Sequence, residues 1–304
     1  MSAYDGLLID PVVRGNLERL SRELALDEEL RLCELASVAE AAVLSICEYL
    51  ADGLTSLEAI AALSLSLSEE LPCDASLLRT LSDRFALTSL LLEMLADRGV
   101  PLHEGDFLLS ELHPPVIAYV KNALSDEAFD VFSAELPDAR VRYVTSFAEA
   151  VAQLLSGEVG YCLFPLEESG GVRLSSVEHL LLLHDLHVCR VTPVFGPDGT
   201  AELKYALISS AVEIAPYSKE DDRYLELRLS RDCLPLSELS ILAEHFGFTV
   251  YRVNTLSFLK GDGEETYLSM VLKTGGNDFC SLLLYLALFG GEYTVVGLYQ
   301  NLEN

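Results

Sequence analysis

Basic residues are scarce in this sequence. Its 304 residues include 20 Lys and Arg against 48 Asp and Glu, which gives a formal charge of −28 at pH 7. A surface of this charge repels phosphate backbones and anionic lipid headgroups at ordinary salt. We therefore expect neither nucleic acid nor a membrane among the partners of the protein.

Long apolar runs and paired cysteines are also missing. The longest uncharged stretch, between Asp278 and Glu292, has 13 residues, whereas a helix needs roughly 20 to cross a bilayer. The first residues, MSAYDGLLID, lack the basic flank and apolar run of a signal peptide. The seven cysteines form no C-x-x-C pair and resemble the reduced core cysteines of cytosolic proteins. We therefore expect a cytoplasmic protein that uses no metal and no cofactor.

The first third of the chain has a helical pattern. Apolar residues recur at three- and four-residue spacing from about residue 10, and a further helix is expected after Pro72 with Asp74 as its cap. His113-Pro114-Pro115 ends this pattern, because neither proline can supply an amide hydrogen to a helix. We predict an N-terminal helical domain over residues 1–112.

The rest of the chain alternates between strand-like and helical segments. From VIAYV at residue 116 onwards, this alternation is typical of a βαβ lobe with a largely parallel sheet. The polar stretch PYSKEDD marks a boundary, and the segments after it follow the βαββαβ order of a ferredoxin-like fold. We therefore predict a multidomain α+β / α/β chain, with a single α/β lobe at residues 113–217 and a βαββαβ domain at residues 218–304.

One strand of the lobe ends in acidic side chains. The stretch GEVGYCLFPLEES, residues 157–169, places Glu167, Glu168 and Ser169 just after the apolar strand and its proline. In α/β lobes, small-molecule sites lie at the carboxyl ends of strands. These three residues are therefore candidate substrate-binding residues, although adjacent glutamates after a strand are more often simply solvated. A further hypothesis is that Glu167 and Glu168 act as a general acid–base pair, in which one carboxyl group has a raised pKa.

Two segments carry a family resemblance. SFAEAVAQLLSGEVGYCLFPLEES resembles the prephenate dehydratase pattern S-F-x-x-V-x-x-A-V-x-x-G-x-A-D-Y-G-V-x-P-I-E-N-S, and the βαββαβ tail ending in VVGLYQ resembles an ACT domain, an amino-acid-sensing module. A dehydratase lobe followed by an ACT domain is the arrangement of that family. The resemblance implies a phenylalanine-pathway protein that dimerises through the ACT sheet. The matching positions in the first segment are Phe147, Gly157, Tyr161, Pro165, Glu167 and Ser169.

The departures from this family predict a loss of catalysis. Only one of the family's two lobes is recognisable in this sequence. The family's Thr-Arg-Phe motif, in which the threonine assists departure of the ring hydroxyl, corresponds here to Leu203-Lys204-Tyr205, which has no threonine. Glu168 replaces an asparagine, and an ionised glutamate cannot donate a hydrogen bond to a dicarboxylate substrate. An ionised Glu168 about 4 Å from a substrate carboxylate would repel it. This repulsion would weaken substrate binding by on the order of several kcal/mol at an effective dielectric near 20.

The helical part has a weaker resemblance to an all-helical chorismate mutase. Asp74, Leu77, Leu78, Leu81 and Arg84 match the first helix of that family. Mutase chemistry clamps two carboxylates with several cations, of which only Arg84 remains here. Arg84 is either a remnant substrate-binding residue or an ordinary salt-bridging residue of a helix.

The ACT-like part also departs from its family. The family's Gly-Ala-Leu effector loop corresponds to Cys233-Leu234-Pro235-Leu236, and its Glu-Ser-Arg-Pro motif corresponds to Asn254-Thr255-Leu256-Ser257. The resemblance implies that Leu236, Asn254 and Thr255 are the effector-binding residues. The two polar residues retain the capacity to hydrogen-bond an amino-acid ligand.

Three functions remain open from the sequence. The preferred one is a phenylalanine-pathway relative that has lost catalysis and binds a small aromatic acid or amino acid, as a binding or regulatory homodimer. The second is a working prephenate dehydratase or chorismate mutase, in which other cations replace those that are missing. The third is a structural partner of another enzyme. The candidate replacement cations are Arg140, Arg142, Arg173 and Lys204.

Overall fold

The chain forms two compact units, Met1–Leu102 and His103–Asn304. The computed structural model describes residues 11–70, 78, 80–108, 114–168, 171–195, 201–214, 222–230, 233–260, 263–300 and 302. The three-domain division at residues 112 and 217 stays a prediction. No helix within the described ranges is long and apolar enough to cross a membrane.

The described part of the first unit contains three helices. Its elements are α1 (Pro11–Ala51), α2 (Ser56–Glu70) and α3 (Leu81–Asp97). The helices meet through apolar residues at three- and four-residue spacing, as the sequence pattern predicts. The buried apolar residues of these helices are Leu35, Ala39, Ala42, Val43 and Ile46 of α1, Ala59, Ile60 and Leu63 of α2, and Phe85, Leu87, Leu91 and Leu95 of α3.

The start of α3 differs from the sequence prediction. The helix begins at Leu81, where the Thr80 side chain accepts a hydrogen bond from the Asp83 amide at 3.2 Å and the Asp83 side chain reaches back to the Thr80 backbone. This reciprocal capping satisfies two amides of the first turn. Asp74, the predicted cap, lies outside the described residues.

The second unit alternates strands and helices. After a short 3₁₀ turn at Glu104–Phe107, its elements in chain order are β1 (Val116–Val120), α4 (Ala123–Glu135), β2 (Arg140–Val144), α5 (Phe147–Leu155), β3 (Tyr161–Glu168), α6 (Ser175–Leu183), β4 (His187–Phe195), β5 (Ala201–Ser209), β6 (Arg223–Leu229), α7 (Leu236–His245), β7 (Phe248–Lys260), β8 (Gly263–Thr274), α8 (Cys280–Phe289) and β9 (Tyr293–Gln300).

The nine strands of the described residues join one mixed sheet, in the order β2-β1-β3-β5-β4-β9-β6-β8-β7. β1 pairs in parallel with β2 and β3, whereas β5 lies antiparallel between β3 and β4. Within the predicted lobe, from β1 to β5, the prediction of a largely parallel sheet therefore holds only for β2, β1 and β3. The last four strands pair with one another antiparallel in the order β9-β6-β8-β7, with α7 and α8 in the predicted places of a βαββαβ segment.

A close backbone contact joins the two halves of this sheet. β4 and β9 pair in parallel at Val188 and Gly297. A Cβ atom on Gly297 would overlap the Val188 carbonyl oxygen, so only glycine allows this approach. The predicted boundary near residue 217 therefore falls between strands of one continuous sheet.

Candidate functional site

A cleft of about 340 Å³ lies at the carboxyl ends of the parallel strands β1, β2 and β3. This is the place at which α/β sheets present ligand-binding residues, because the loops that follow neighbouring strands meet there. The cleft is the structure's candidate functional site. Its lining residues are Val120, Asn122, Ser125, Thr145, Ser146, Phe147, Leu163, Pro165 and Tyr205.

One wall of the cleft is the start of α4. The Asn122 side-chain oxygen caps this helix by accepting a hydrogen bond from the Ser125 backbone amide at 2.9 Å. In return, the Ser125 hydroxyl accepts a hydrogen bond from the Asn122 backbone amide at 2.9 Å. The same hydroxyl donates to the Val120 carbonyl at 2.9 Å. The chain therefore turns from β1 into α4 in a fixed geometry that holds the Asn122 side chain at the cleft.

A second wall is the start of α5. Ser146 caps the helix by accepting from the Glu149 amide at 3.1 Å. The Glu149 carboxylate accepts from the Thr145 amide at 2.8 Å and from the Thr145 hydroxyl at 2.7 Å, and these hydrogen bonds lower the pKa of Glu149. An ionised carboxylate in the first turn offsets the positive end of the helix dipole. The strand-end positions of Thr145 and Ser146 were a sequence signal for this wall that the prediction did not use.

Tyr205 on β5 supplies the phenol of the cleft. Its side chain is buried beside Pro165, its partner in the β3–β5 register. Burial raises the pKa of Tyr205, and a hydrogen bond with the Asn122 side chain offsets part of this effect. The phenol is therefore neutral at physiological pH and can both donate and accept hydrogen bonds.

The described lining of the cleft is uncharged. Of the described residues that line it, four are apolar and five bear a hydroxyl or amide group, and none is Asp, Glu, Lys, Arg or His. Such a lining can pack an aromatic ring against Phe147, Leu163 and Pro165, and it can hydrogen-bond a polar substituent. It offers no cation to neutralise a ligand that carries two carboxylates.

Glu167 lies in a buried charge cluster. Its carboxylate pairs with Arg252, with Arg173 at 3.3 Å and with Lys204 at 3.4 Å. Burial tends to raise the pKa of Glu167, but the hydrogen bond from Arg252 and the charges of the three cations outweigh it and lower the pKa. Glu167 is therefore ionised and already neutralised by protein groups.

A β-bulge explains this placement. The register between β3 and β5 shifts between Pro165 and Glu167, so that one additional residue, Leu166, is inserted in β3. The alternation that puts Leu163 and Pro165 on the cleft wall therefore does not continue to Glu167. A register shift of this kind leaves no mark in the residue pattern.

The charge cluster extends to the C-terminal strands. Arg173 also donates to Glu226 on β6 at 2.5 Å, and Glu226 accepts from the Tyr299 hydroxyl on β9 at 3.3 Å. Arg252 belongs to β7, so the cluster connects the end of β3 with three strands of the βαββαβ segment. We call Glu167, Arg173, Lys204, Glu226 and Arg252 the charge cluster.

The other predicted site residues are not among the described residues that line the cleft. Glu168 is exposed, and its amide donates to the Val172 carbonyl at 2.9 Å in the turn after β3. Ser169 lies outside the described residues. Arg84 belongs to α3 of the first unit, where its Nε donates to the Leu78 carbonyl at 3.1 Å.

The predicted effector residues lie in the βαββαβ segment. Leu236 is the first residue of α7, and its carbonyl accepts from the Ser240 hydroxyl at 2.9 Å. Asn254 and Thr255 lie on β7, paired with Ser269 and Leu268 of β8. Asn254 is half-buried and Thr255 is exposed.

The remaining reactive groups are the cysteine of β3 and the residue types that bind metal ions. Cys162 on β3 is fully buried, and burial raises the pKa of its thiol to about 12, which makes it a poor nucleophile. Within the described part of the chain, no group of three or more His, Cys, Asp or Glu residues is arranged to hold a metal ion.

No protein-family model matches the sequence, and no curated protein matches it. Similar solved structures include a prephenate dehydratase from Streptococcus mutans, with 15% identity and a TM-score of 0.46 over 62% of this chain and 99% of the other. GqqA, described as a novel type of quorum-quenching acylase, has 17% identity and a TM-score of 0.45 over 61% and 95% of the two chains. A prephenate dehydratase from Arthrobacter aurescens in complex with L-Phe has 10% identity and a TM-score of 0.44 over 61% and 89%.

Proposed function

We propose that this protein is a non-catalytic, ligand-binding relative of the prephenate dehydratase and ACT type, and that the cleft at β1, β2 and β3 binds a small aromatic amino acid or monocarboxylic acid. The uncharged lining of the cleft carries this proposal. A dianionic ring compound such as prephenate would lose its hydration on entering the cleft without gaining a cation. A ligand with one aromatic ring and few charges fits the same lining, because apolar side chains and hydroxyl groups are both present.

Three of the four cations suggested as replacements, all but Arg140, support the loss of catalysis. Arg173 and Lys204 pair with Glu167, and Arg142 pairs with Glu158 at 3.0 Å. None of them is among the residues that line the cleft. A working dehydratase would need positive charge directed at the substrate carboxylates, and these three side chains are engaged elsewhere.

The regulatory part of the proposal rests on β3. This strand contributes Leu163 and Pro165 to the cleft wall and Glu167 to the charge cluster, which reaches β6 at Glu226 and β7 at Arg252. A ligand bound near Leu236, Asn254 and Thr255 would act on β7, which carries Arg252. We propose these three residues as the effector contacts, on the family resemblance alone.

The test is a binding experiment on the full chain. Calorimetry and thermal shift with L-Phe, L-Tyr, L-Trp, phenylpyruvate, prephenate and chorismate should identify at least one ligand with a single aromatic ring. A ligand at 100 times its dissociation constant stabilises the fold by about 2.7 kcal/mol. The Tyr205→Phe variant should bind that ligand roughly fivefold more weakly, as expected for the loss of one hydrogen bond worth about 1 kcal/mol.

Tyr143→Phe is the matched control, since Tyr143 is an exposed tyrosine on β2 and does not line the cleft. Its binding should equal that of the unchanged protein. A flat response to every compound would contradict the binding proposal. Conversion of prephenate to phenylpyruvate, or of chorismate to prephenate, by the purified chain would contradict the loss of catalysis.

A further inference from the structure

A second cavity, of about 340 Å³, lies beside the last strands of the sheet. Its described lining comes from β6, β8, β9 and the residues next to them, from the end of α6, and from the turn between α6 and β4. It shares no described lining residue with the cleft. The predicted effector residues Leu236, Asn254 and Thr255 are not among its described lining residues either. The cavity is therefore separate from both of the proposed ligand sites.

Two buried polar atoms belong to residues of this cavity. Arg228 of β6 has only 8% of its side chain exposed, and its Nη2 donates to the Asp185 carboxylate at 3.0 Å. No described residue hydrogen-bonds to Arg228 Nε or to Ser230 Oγ. Buried polar atoms in native proteins nearly always have a partner, because an unmade hydrogen bond costs the full desolvation of the group. A single bridging water needs only about 15 Å³, so the cavity has room for a larger partner.

The two atoms form a pair of neighbouring donors. The Ser230 amide donates to the Glu292 carbonyl at 3.2 Å, so the pairing between β6 and β9 continues to Ser230. Side chains two residues apart on a strand lie on the same face of the sheet, which places Arg228 and Ser230 side by side. Arg228 Nε can only donate, and the serine hydroxyl can donate as well. A charged donor next to a neutral one suits a carboxylate.

Two carboxylates also line the cavity. Asp185, whose side chain is 71% exposed, pairs with Arg228, and Glu292 is exposed. Arg228 is the one cation among the described lining residues. A ligand with only a carboxylate would be repelled by Glu292, and a ligand with only an ammonium group would be repelled by Arg228. A ligand that carries both charges complements this lining.

We propose that this cavity binds a free α-amino acid. The ligand carboxylate accepts from Arg228 Nε and Ser230 Oγ. The ligand ammonium donates to Glu292, because Asp185 is already paired with Arg228. An α-amino acid carries both charges on neighbouring atoms of one small molecule. The volume of about 340 Å³ is at the lower end of the range for small-molecule sites, roughly 300–1,000 Å³.

The cavity also offers apolar surface for the side chain of the ligand. Leu182 of α6, Tyr267 of β8 and Tyr293 of β9 are among its lining residues. Aliphatic side chains and tyrosine rings pack against the apolar part of a bound molecule. α6 belongs to the predicted α/β lobe, whereas β8 and β9 belong to the βαββαβ segment. The bound amino acid therefore contacts both of these parts of the second unit.

The first test is calorimetry of the full chain with each of the standard L-amino acids. At least one should bind, and Ser230→Ala should weaken its binding about tenfold, as expected for the loss of one hydrogen bond to a charged group. The melting temperature of Ser230→Ala without ligand should stay unchanged, because no described residue hydrogen-bonds to this hydroxyl. Ser237→Ala is the matched control, since Ser237 is an exposed serine of α7 outside the described lining. Its binding should equal that of the unchanged protein.

The second test examines recognition of the ammonium group. Glu292→Gln should weaken binding of the same amino acid at least tenfold. It should bind the matched carboxylic acid, which lacks the amino group, no more weakly than the unchanged protein does, because the variant removes a repulsive charge. Glu244→Gln, which changes an exposed glutamate of α7, is the control and should leave both affinities unchanged.

Tyr205→Phe distinguishes this cavity from the cleft. It should leave binding in this cavity unchanged, and a failure of the cleft to bind any ligand would not affect the present proposal. The proposal is overturned if no standard amino acid binds, or if Ser230→Ala binds as tightly as the unchanged protein. It is also overturned if Ser237→Ala weakens binding equally, or if Glu292→Gln weakens binding of the amino acid and of its deaminated analogue to the same extent.

Discussion

Neutralising Glu167 is expected to destabilise the second unit strongly. Its carboxylate is the shared partner of Arg173, Lys204 and Arg252. Glu167→Gln keeps the size of the side chain and removes its charge, so three cations lose a common counter-ion. Removing one partner from a buried ion pair costs about 3–5 kcal/mol, because the remaining charge stays desolvated.

The structure places the expected loss at the lower end of this range. The Lys204 and Arg252 side chains are 28% and 15% exposed, so water can solvate them in part after the change. Arg173 is only 4% exposed, but it keeps Glu226 as a second partner. We therefore expect Glu167→Gln to lower the free energy of unfolding by about 3 kcal/mol at pH 7.

The pH dependence has a definite sign. The pKa of Glu167 in the folded protein lies below its ordinary value of 4.5, so its charge stabilises the fold above the unfolded pKa and this contribution is lost as the pH falls through the folded pKa. The difference between the unchanged protein and Glu167→Gln should be constant from pH 6 to 8, within about 0.5 kcal/mol, and should shrink below about pH 4.5.

The assay is urea unfolding followed by tyrosine fluorescence. The chain has no tryptophan and 13 tyrosines, of which 11 lie in residues 103–304, so this signal reports mainly on the second unit. Glu168→Gln is the control, because Glu168 is the exposed neighbour on the same strand, and its effect should stay within about 0.5 kcal/mol. The reasoning is refuted if Glu167→Gln is as stable as the unchanged protein at pH 7, or if Glu168→Gln loses as much.

Two further predictions concern the sheet. Gly297→Ala should lower the free energy of unfolding by about 1–3 kcal/mol, because the added Cβ would overlap the Val188 carbonyl oxygen. Gly275→Ala is the control and should change the melting temperature little, because no atom lies within 4 Å of its added Cβ. Equal melting temperatures of the two variants would contradict the close β4–β9 contact. In the native protein, iodoacetamide should modify the exposed Cys33 and leave Cys162 unmodified, because burial raises the pKa of the Cys162 thiol to about 12. Mass spectrometry of peptides after brief labelling at pH 8 measures this difference. Rapid labelling of Cys162 would contradict the prediction.

Local patterns predicted the elements well. The strand-like segments VIAYV and YCLFPL correspond to β1 and β3, and the order of strands and helices after residue 222 matches the βαββαβ prediction. These segments could be predicted because burial of one face of a helix or strand makes apolar residues recur with a fixed period within that element. The start of α3 at Leu81 was not predicted, because the reciprocal hydrogen bonds of Thr80 and Asp83 that cap it depend on side-chain geometry and not on a residue period.

The candidate site was predictable in location but not in composition. The rule that ligands bind at the carboxyl ends of parallel strands pointed to the end of β3, and the cleft lies there. The bulge between Pro165 and Glu167 then assigns Pro165 to the cleft and Glu167 to the charge cluster. Tyr205 reaches the cleft only because β5 pairs antiparallel with β3, and this pairing joins residues about 40 positions apart.

The sequence by itself determined the acidic charge, the helical and alternating periods along the chain, and the residue types available at each strand end. Only the tertiary structure decided which charges meet, because Arg173, Lys204 and Arg252 reach Glu167 from separate segments of the second unit. Residue periods result from the burial of single elements, which neighbours in the chain control. Ion pairs, bulges and clefts depend on strand order and register, which are set by contacts between residues far apart in sequence.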